Sequence, residues 1–260
     1  MKTYKKDELD NIRQAGKILS EALAAAKRKM AAGVSTLEIN DAAEEVILAN
    51  GAEGCFKDVR DYGFVTCISV NEEIVHGKPR ADKILKEGDI VSIDVGVRYN
   101  GFCADAARTF GVGKISEGAQ KLIDETRQCF YEAIRTLKAG SLVGEIGQRI
   151  EYYVRHNTTY GILTNYFGHG IGRNVHEEPL IPNFVPKIPQ LKAICRKKFP
   201  ANTAICIEPM ICEGDPATKT KDDKWTVVMA DGKLSAHYEN TLIIHADSVE
   251  VVTAHDEVGE

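Results

Sequence analysis

The spacing of apolar side chains at the start of the chain predicts two consecutive helices. Between residues 9 and 30 they recur every three or four positions, which places them on one face of a helix. These positions are Ile12, Ala15, Leu19, Ala22, Leu23, Ala26 and Met30. Gly33 ends this helix. Ser35 with Glu38 forms a capping-box pattern that starts a second helix, which runs to Gly51.

Strands are predicted next, because apolar and polar side chains alternate with a period of two. TCISV at 66–70 and DIVSIDVGVRY at 89–99 show this alternation, and FCADAARTF follows at 102–110. Asn100-Gly101, between the last two segments, is a residue pair that tight type I′ hairpin turns prefer. The sequence therefore predicts an antiparallel hairpin around this turn.

The same order of elements recurs in the second half of the chain. A helix is predicted over residues 116–137, a shorter one follows, and strands return around Glu208 and Glu239. The helix junctions at 32–39 and 139–146 share Ala, Gly, Glu and Ile at equivalent positions. Repeated order together with repeated junctions predicts two related halves.

The composition is that of a globular protein and narrows the possible functions. With 43% hydrophobic and 27% charged residues, the chain is not disordered, collagen-like or membrane-embedded. We interpret residues 1–260 as one domain, in which residues 183–198, rich in proline and lysine, form a surface loop. The net charge of −5 argues against nucleic-acid binding as the main function and favours cationic partners such as metal ions.

A cytoplasmic location is expected from the N-terminal segment and the cysteines. The first residues are too charged for a signal peptide, and no apolar run approaches the ~18 residues that a membrane span needs. The seven cysteines are an odd number without a Cys-x-x-Cys pair. They fit structural thiols in a reducing compartment better than a disulfide framework or a cysteine zinc site.

Two acidic residues lie inside segments that otherwise predict buried strands. Asp94 is in IVSIDVGV and Glu208 is in AICIEPMIC. A buried carboxylate costs several kcal/mol unless a cation balances it, so each needs a cationic partner. A metal ion is one choice, and an ion pair with the nearby Arg98 or Arg108 is the other; these residues alone do not decide between them.

The hairpin geometry places a second acid beside Asp94. With a two-residue turn at 100–101, the numbers of opposed residues add up to 201, so Asp105 faces Gly96. By the same rule Asp94 faces Ala107. Asp94 and Asp105 are then diagonal neighbours on one face, with Cβ atoms roughly 7 Å apart, and Gly96 leaves the gap between them open. Two such carboxylates can share one metal ion or hold a pair.

Further polar residues are weak candidates when taken singly. Glu239 in SAHYENTLII alone predicts a solvated edge residue, and a lone histidine such as His169 is usually structural, although its flanking glycines permit close backbone approach. After His176-Glu177-Glu178, Leu180 removes the second histidine of a zincin motif. The chain also lacks the G-x-S-x-G elbow of hydrolases and the phosphate-binding P-loop pattern.

Five ordered segments together resemble the methionine aminopeptidases, specifically the short type I form, over about residues 5–245. The matching segments are Cys67-x-Ser69-x-Asn71-x4-His76-Gly77-x-Pro79, Asp94 with Asp105, Gly168-His169-Gly170-Ile171-Gly172 with His176-Glu177-Glu178-Pro179, Ile207-Glu208-Pro209-Met210, and Ser235-Ala236-x-Tyr238-Glu239. The resemblance implies an α+β pita-bread fold of the creatinase/aminopeptidase type. In this fold two pseudo-symmetric helix-helix-strand halves surround an antiparallel sheet.

The resemblance also implies a centre of two divalent metal ions. The ligands carried over by position are Asp94, Asp105, His169, Glu208 and Glu239. Asp105 and Glu239 would bridge the ions. Four oxygen donors and one imidazole suit Mn²⁺, Fe²⁺ or Co²⁺, with Zn²⁺ or Ni²⁺ as alternatives.

The implied activity is hydrolysis of the N-terminal methionine from nascent proteins and peptides, with a small second residue preferred. Water activated at the metal ions attacks the carbonyl after the first residue. Glu208 would transfer the proton, His176 would hydrogen-bond the scissile peptide, and His76 would lie near the departing nitrogen. The residues that match the substrate pocket are Tyr62, Cys67 and Trp225. The expected partners are nascent polypeptide N-termini, with ribosome contact left open, and the expected state is a monomer.

The chain departs from the family pattern around the substrate pocket. Val59 and Val175 replace two aromatic residues, and Phe56 stands where a small residue is usual. Residues 199–202 replace a commoner Pro-Gly turn before Glu208. Changing one wall of an apolar pocket is worth about 1–3 kcal/mol of discrimination, so altered selectivity is an open alternative.

Two further functions remain open on the same scaffold. One is an Xaa-Pro-type aminopeptidase or prolidase, although such relatives normally carry an additional N-terminal domain for which this chain leaves little room. The other is a non-catalytic peptide- or protein-binding relative, which would generally have lost metal ligands, whereas all five are present here. The absence of a zinc-finger extension fits the bacterial-type short form.

Overall fold

The helices and strands lie close to the segments that the sequence predicts. The structure, a computed structural model, describes residues 1–59 and 61–253; Arg60, in the pocket segment that departs from the family pattern, lies outside them. The helices are α1 (Lys6–Lys29), α2 (Thr36–Ala49), α3 (Glu117–Ile134), α4 (Val143–Asn157) and α5 (Pro189–Cys195), with a 3₁₀ turn at Cys55–Asp58. The strands are β1 (Glu53–Gly54), β2 (Thr66–Val70), β3 (Glu73–Val75), β4 (Ile90–Tyr99), β5 (Phe102–Gly111), β6 (Gly161–Ile162), β7 (Phe167–Gly170), β8 (Glu177–Pro182), β9 (Thr203–Ile207), β10 (Met210–Cys212), β11 (Thr218–Thr220), β12 (Val227–Met229), β13 (Ser235–His237), β14 (Asn240–Ile244) and β15 (Val249–Val251).

The predicted capping box starts α2. The Ser35 hydroxyl accepts a hydrogen bond from the Glu38 amide at 3.2 Å, and the Glu38 carboxylate accepts one from the Ser35 amide at 3.0 Å. Two of the amides that a helix start leaves unpaired are thereby satisfied. The helix predicted over 116–137 is α3, which ends three residues earlier at Ile134.

The β4–β5 hairpin has the predicted register. Asp105 pairs with Gly96, and Asp94 pairs with Ala107. The turn residues at 100–101 have positive φ angles of 48° and 79°, as a type I′ turn requires. On its other edge β4 pairs with β1 and β2, so both aspartates lie on the long strands of one four-stranded sheet.

The second main sheet joins the first at the pair Ala107 and Glu239. Its strand order is β15-β14-β9-β7-β8, with antiparallel neighbours throughout. The amide of Glu239 donates to the carbonyl of Ala107 at 2.9 Å, and the reverse bond is 3.3 Å long. The Thr241 hydroxyl adds two 2.8 Å bonds to the backbone of Asp105. Two smaller sheets, β13-β10-β6 and β11-β12-β3, flank this junction.

Each half of the fold has its own helix pair. α1 and α2 pack on the first sheet around buried residues such as Leu19, Ile39 and Ile93. In the second half, α4 packs against β8 and α3 against β10 and β13, around a core that includes Phe130 and Ile205. The α+β class and the two similar halves are therefore confirmed.

The segment 183–198 is more ordered than the predicted surface loop. It contains the short helix α5, with Pro189 in its first turn, where the missing amide costs nothing. Leu191 is buried, and α5 packs against α4 and β8. None of the helices within the described ranges is long and apolar enough to cross a membrane.

Two helical glycines give a matched test of how closely α4 packs on the chain beyond β8. A Cβ at Gly147 would lie 2.6 Å from the Pro182 carbonyl oxygen and closer still to that of Phe184, whereas at Gly118 the nearest atom is 3.8 Å away. Gly147→Ala should lower the free energy of unfolding by about 1–3 kcal/mol through overpacking. Gly118→Ala should be neutral or stabilising by up to about 1 kcal/mol. Urea unfolding measures both, and equal stability of the two variants would contradict the close contact.

Candidate metal centre

One cavity of about 530 Å³ brings all ten predicted site residues together. It lies where the two main sheets meet. The predicted residues that line it are Tyr62, Cys67, His76, Asp94, Asp105, His169, His176, Glu208, Trp225 and Glu239. Residues far apart in the sequence thus face one space, as the resemblance implies.

The acidic side of the cavity starts from the β4–β5 hairpin. Asp94 and Asp105 are diagonal neighbours, as predicted. The predicted open gap at Gly96 is wrong, because a Cβ there would lie 2.5 Å from the Phe56 ring and 2.6 Å from the Cys55 sulfur. The glycine instead lets Phe56 pack directly onto the strand, and this ring forms one wall of the cavity.

The two glutamates are adjacent because of the β9–β14 register. Asn240 pairs with Ile207, so Glu239 immediately precedes the paired segment on one strand and Glu208 immediately follows it on the other. Both side chains are buried, and the predicted solvated position for Glu239 taken alone is therefore wrong. Arg108 donates to the backbone carbonyl of Glu239 at 2.5 Å and lies over the Tyr238 ring, which fixes this segment against β5.

The two arginines that were alternative partners for the aspartates make other contacts. Arg98 forms an ion pair with Asp58. Arg108 donates to the backbone of Ala107 and Glu239 and to the Asn240 side chain. Both arginines therefore have roles in holding strands and turns together.

His169 lies on β7 opposite Cys206 and is 4% exposed. Its Nδ1 is 3.0 Å from the Gly170 carbonyl, which assigns the proton to Nδ1 and leaves Nε2 with a free lone pair. Nε2 lies 3.6 Å from Glu208 and 3.8 Å from Glu239. Side chains at the flanking glycines would collide with backbone; a Cβ at Gly168 would meet the Cys206 carbonyl oxygen. The predicted close backbone approach is confirmed.

Burial and mutual repulsion disfavour the charged forms of the four acids. Burial raises the pKa of Asp94 to about 7, and a hydrogen bond with Asp105 opposes this in part. For Asp105, Glu208 and Glu239, burial raises the pKa well above the usual range, and the charge of neighbouring carboxylates raises it further. Within residues 1–59 and 61–253, Asp94 Oδ1, Asp105 Oδ1 and Glu239 Oε1 have no hydrogen-bond partner.

These properties fit divalent metal ions. Buried carboxylate oxygens without donors are costly, and cations remove that cost. Donor atoms gather in three overlapping sets, each within 4.8 Å: Asp105, His169 and His176; His169, Cys206 and Glu239; and Asp94, His237 and Glu239. Burial raises the pKa of the Cys206 thiol, which weakens it as a ligand beside the imidazole and carboxylates.

Two further histidines stand around the donor cluster. His76 follows β3 with a φ of 57°, and its ring meets Tyr166 edge-on at 5.8 Å. Burial, together with the charge of His176, lowers the pKa of His76 to about 4, so its imidazole is neutral near pH 7. His176 is exposed, with its ring 4.5 Å from that of His169. Both can donate or accept hydrogen bonds at the cavity.

The remaining wall is apolar and aromatic. Tyr62 and Trp225 pack edge-to-face at 5.0 Å, and Tyr62 donates its hydroxyl proton to the Thr66 carbonyl at 2.9 Å. Phe56 and Val59 also line the cavity. Val175 belongs to the same buried cluster as Phe56, Tyr62 and Cys67. Phe56, Val59 and Val175, three of the positions that depart from the family pattern, thus lie in or beside one wall.

His237 is a cavity residue that the sequence interpretation missed. It is 2% exposed, and its Nε2 has no hydrogen-bond partner among the described residues. In the segment Ser235-Ala236-x-Tyr238-Glu239, which resembles the family, this position is variable. The signal that could have found it is its place two residues before Glu239, because alternate residues of an extended segment point to the same side.

The family model for metallopeptidase family M24 matches residues 10–246 of the chain. A methionine aminopeptidase of Clostridium perfringens is 45% identical over 247 residues, which cover 95% of this chain and 96% of that protein. The crystal structure of methionine aminopeptidase from Thermotoga maritima superposes with a TM-score of 0.91 at 34% identity, covering 97% and 99% of the two chains.

A more distant structure shows how widely the fold is shared. Prolidase from Pyrococcus furiosus has a TM-score of 0.78 at 21% identity, and 98% of this chain covers 66% of that one. The predicted pita-bread fold is thereby confirmed. The match of the family model over most of the chain and the similarity to methionine aminopeptidases support one conclusion: the chain belongs to metallopeptidase family M24.

Proposed function

We propose that the protein removes the N-terminal methionine from nascent proteins and peptides, as a metal-dependent aminopeptidase that prefers a small second residue. The observation that carries this proposal is the donor cluster. Four carboxylates and an imidazole from both halves of the fold converge at one cavity, with carboxylate oxygens that lack hydrogen-bond donors. An apolar wall beside them can hold the side chain of the first residue.

Five residues are the proposed ligands of two divalent ions: Asp94, Asp105, His169, Glu208 and Glu239. Asp105 and Glu239, which lie on either side of the junction between the sheets, would be shared by the two ions as bridging ligands. The predominance of oxygen donors suits Mn²⁺, Fe²⁺ or Co²⁺, with Zn²⁺ or Ni²⁺ as alternatives. When bound, such ions supply Lewis acidity, which lowers the pKa of water and polarises a peptide carbonyl.

The protein's own groups bind the substrate and move the proton. Glu208, at the edge of the donor cluster, accepts the proton from the attacking water and passes it to the departing nitrogen. His176, exposed beside His169, donates a hydrogen bond to the scissile carbonyl. His76 has a neutral imidazole and is held by the Tyr166 contact, so it can hydrogen-bond the departing amide.

The apolar wall is the proposed pocket for the methionine side chain. Tyr62, Trp225 and Cys67 surround a space in which a thioether makes favourable contacts with aromatic rings. Phe56 narrows this space from the side of Gly96, and Val59 widens it where the family has an aromatic residue. We therefore propose a methionine pocket whose shape differs from that of its relatives.

The proposed partners are the N-termini of nascent chains, which the protein would bind as a monomer in the cytoplasm. Ribosome contact would bring the enzyme to those substrates, but the proposal does not depend on it. The residues that line the cavity all come from one chain, which supports the proposal of a monomer. A non-catalytic binding role is disfavoured, because all the donors that a metal centre needs are retained.

Removing a bridging carboxylate should abolish activity. Asp105→Ala and Glu239→Ala should each lower kcat/KM for a Met-Ala-Ser peptide by about 10³-fold or more, because the centre acts as a unit. Neither metal-free variant should be less stable than the wild type, since each loses one of the repelling charges. The control is Asp82→Ala, an exposed acid paired with Arg80, which should retain full activity. An active bridging variant would overturn the ligand assignment.

A peptide series tests the substrate assignment and the pocket. Mn²⁺-, Co²⁺- or Fe²⁺-loaded enzyme should cleave Met-Ala-Ser. Peptides with another long apolar residue in place of methionine should have a kcat/KM only about tenfold lower, because two walls of the proposed pocket differ from those of the family. N-acetylated Met-Ala-Ser is the control and should resist cleavage. Cleavage of Leu-Pro-Ser without cleavage of Met-Ala-Ser would favour the Xaa-Pro alternative instead.

The free energy of unfolding should depend on both bound metal and pH. The pKa of Asp94 rises from an ordinary 3.8 to about 7 on folding, so its stabilising contribution is complete below about pH 4 and is lost as the pH rises through 7. Metal-free wild type should therefore lose stability relative to Asp105→Asn, which removes one repelling charge, between pH 5 and pH 8. Mn²⁺ should stabilise the wild type more at pH 8, because protons compete with the ion.

Urea unfolding with and without Mn²⁺ measures this coupling. Buried histidines such as His76, whose pKa is lowered, act in the opposite direction. The relevant quantity is therefore the difference between the wild type and Asp105→Asn at each pH. Parallel pH profiles for the two proteins would show that the acids do not repel one another in the folded state.

A further inference from the structure

His237 is a buried imidazole for which the five-ligand centre gives no role. It is the last residue of β13, and its Nε2 lacks a hydrogen-bond partner among residues 1–59 and 61–253. An unpaired nitrogen in a buried place costs roughly 1–3 kcal/mol, so a partner for it is expected. The atom faces the donor cluster, since it lies 3.8 Å from Glu208 and 3.6 Å from Glu239.

The contacts of His237 mirror those of His169. His169 Nε2 approaches Oε1 of Glu208 at 3.6 Å and Oε1 of Glu239 at 3.8 Å. His237 Nε2 approaches the other oxygen, Oε2, of the same two glutamates. Each glutamate therefore presents one oxygen to each imidazole. The two histidines occupy equivalent positions relative to the carboxylates, although only His169 belongs to the set that the resemblance implies.

The separations suit a shared ion better than a direct hydrogen bond. Nitrogen–oxygen hydrogen bonds are about 2.7–3.2 Å long, shorter than any of these contacts. Two donor atoms that are each about 2.1 Å from one ion lie about 3–4 Å apart. Nε2 of His237 also lies within 4.8 Å of ligand atoms of Asp94 and Glu239. An ion among these three side chains would satisfy the unpaired nitrogen of His237 and the unpaired Oδ1 of Asp94.

We infer that His237 is a sixth protein ligand, which binds through Nε2 the ion held by Asp94 and Glu239. This inference rests on the proposed metal centre and adds to it. His169 then serves the ion on the Glu208 side, so each ion has one imidazole. A nitrogen donor at the Asp94 site, which otherwise has oxygen donors, would shift its preference from Mn²⁺ towards Co²⁺, Ni²⁺ and Zn²⁺.

The backbone around His237 is held in place for this role. Its amide donates to the Thr109 hydroxyl at 2.9 Å, and that hydroxyl also lies 2.9 Å from the His237 carbonyl. Ser92 and Thr109 are hydrogen-bonded at 2.7 Å, which ties β13 to the β4–β5 hairpin that carries both aspartates. The imidazole is therefore positioned by the same hairpin as Asp94, which favours a fixed donor.

Cobalt-loaded enzyme gives a direct count of coordinated imidazoles. In the proton NMR spectrum of the wild-type protein with two equivalents of Co²⁺, each coordinated histidine contributes one strongly shifted, solvent-exchangeable N–H signal. We expect two such signals in the wild type and one in His237→Gln. Calorimetric titration with Co²⁺ should show that one site is weakened by about tenfold or more in the variant.

Controls distinguish the loss of His237 as a ligand from the loss of the whole metal centre. His156→Gln changes an exposed histidine stacked on Tyr152 and should leave both signals and both affinities unchanged. His237→Ala, with free imidazole added, should regain the second signal and keeps the test valid if glutamine impairs folding. A single signal in the wild type, or unchanged Co²⁺ affinity in His237→Gln while Asp105→Ala loses binding, would refute the sixth ligand alone. A wild type that binds no Co²⁺ would refute both proposals.

Discussion

Repulsion among three buried carboxylates and one half-buried carboxylate is the constraint on which the centre of this fold depends. Asp94, Asp105, Glu208 and Glu239 share one cavity in which burial and neighbouring charge raise their pKa values. Each carboxylate would have a lower free energy in water, so contacts elsewhere in the structure must hold the four groups together. The strand registers, the Thr241 bonds to Asp105 and the sheet junction do this. Divalent ions turn the same arrangement from a cost into a source of stability.

The two halves of the fold each supply part of the site. The hairpin of the first half carries Asp94 and Asp105, and the second half carries His169 and the two glutamates. Their sheets meet at the bonds between Ala107 and Glu239. The donor set is thus complete only when the halves associate. The centre can therefore form only in the fully folded chain. Metal binding is expected to couple to folding for this reason.

Local patterns predicted much of this fold, whereas long-range contacts were harder to predict. The register of Asp94 and Asp105 follows from a two-residue turn, and that arithmetic is confirmed. Glu239 reaches the cavity through pairing with β9 and β5, which its own neighbours in sequence do not reveal. Packing of Phe56 onto Gly96 depends on a contact between distant segments. The family pattern predicted the five proposed ligands, which line one cavity, but left His237 as a variable position.

The proposed metal ligands and the proposed methionine pocket are carried by different kinds of segment. The donor cluster comes from strands whose registers fix each side chain, whereas Phe56, Val59 and Tyr62 come from the 3₁₀ turn and the segment that follows it. Such a connecting segment tolerates substitution better than paired strands do. We therefore expect the departures at Phe56 and Val59 to leave the registers of the strands that carry the carboxylates unchanged. A hydrolytic centre can be retained in this way while the accepted side chain changes.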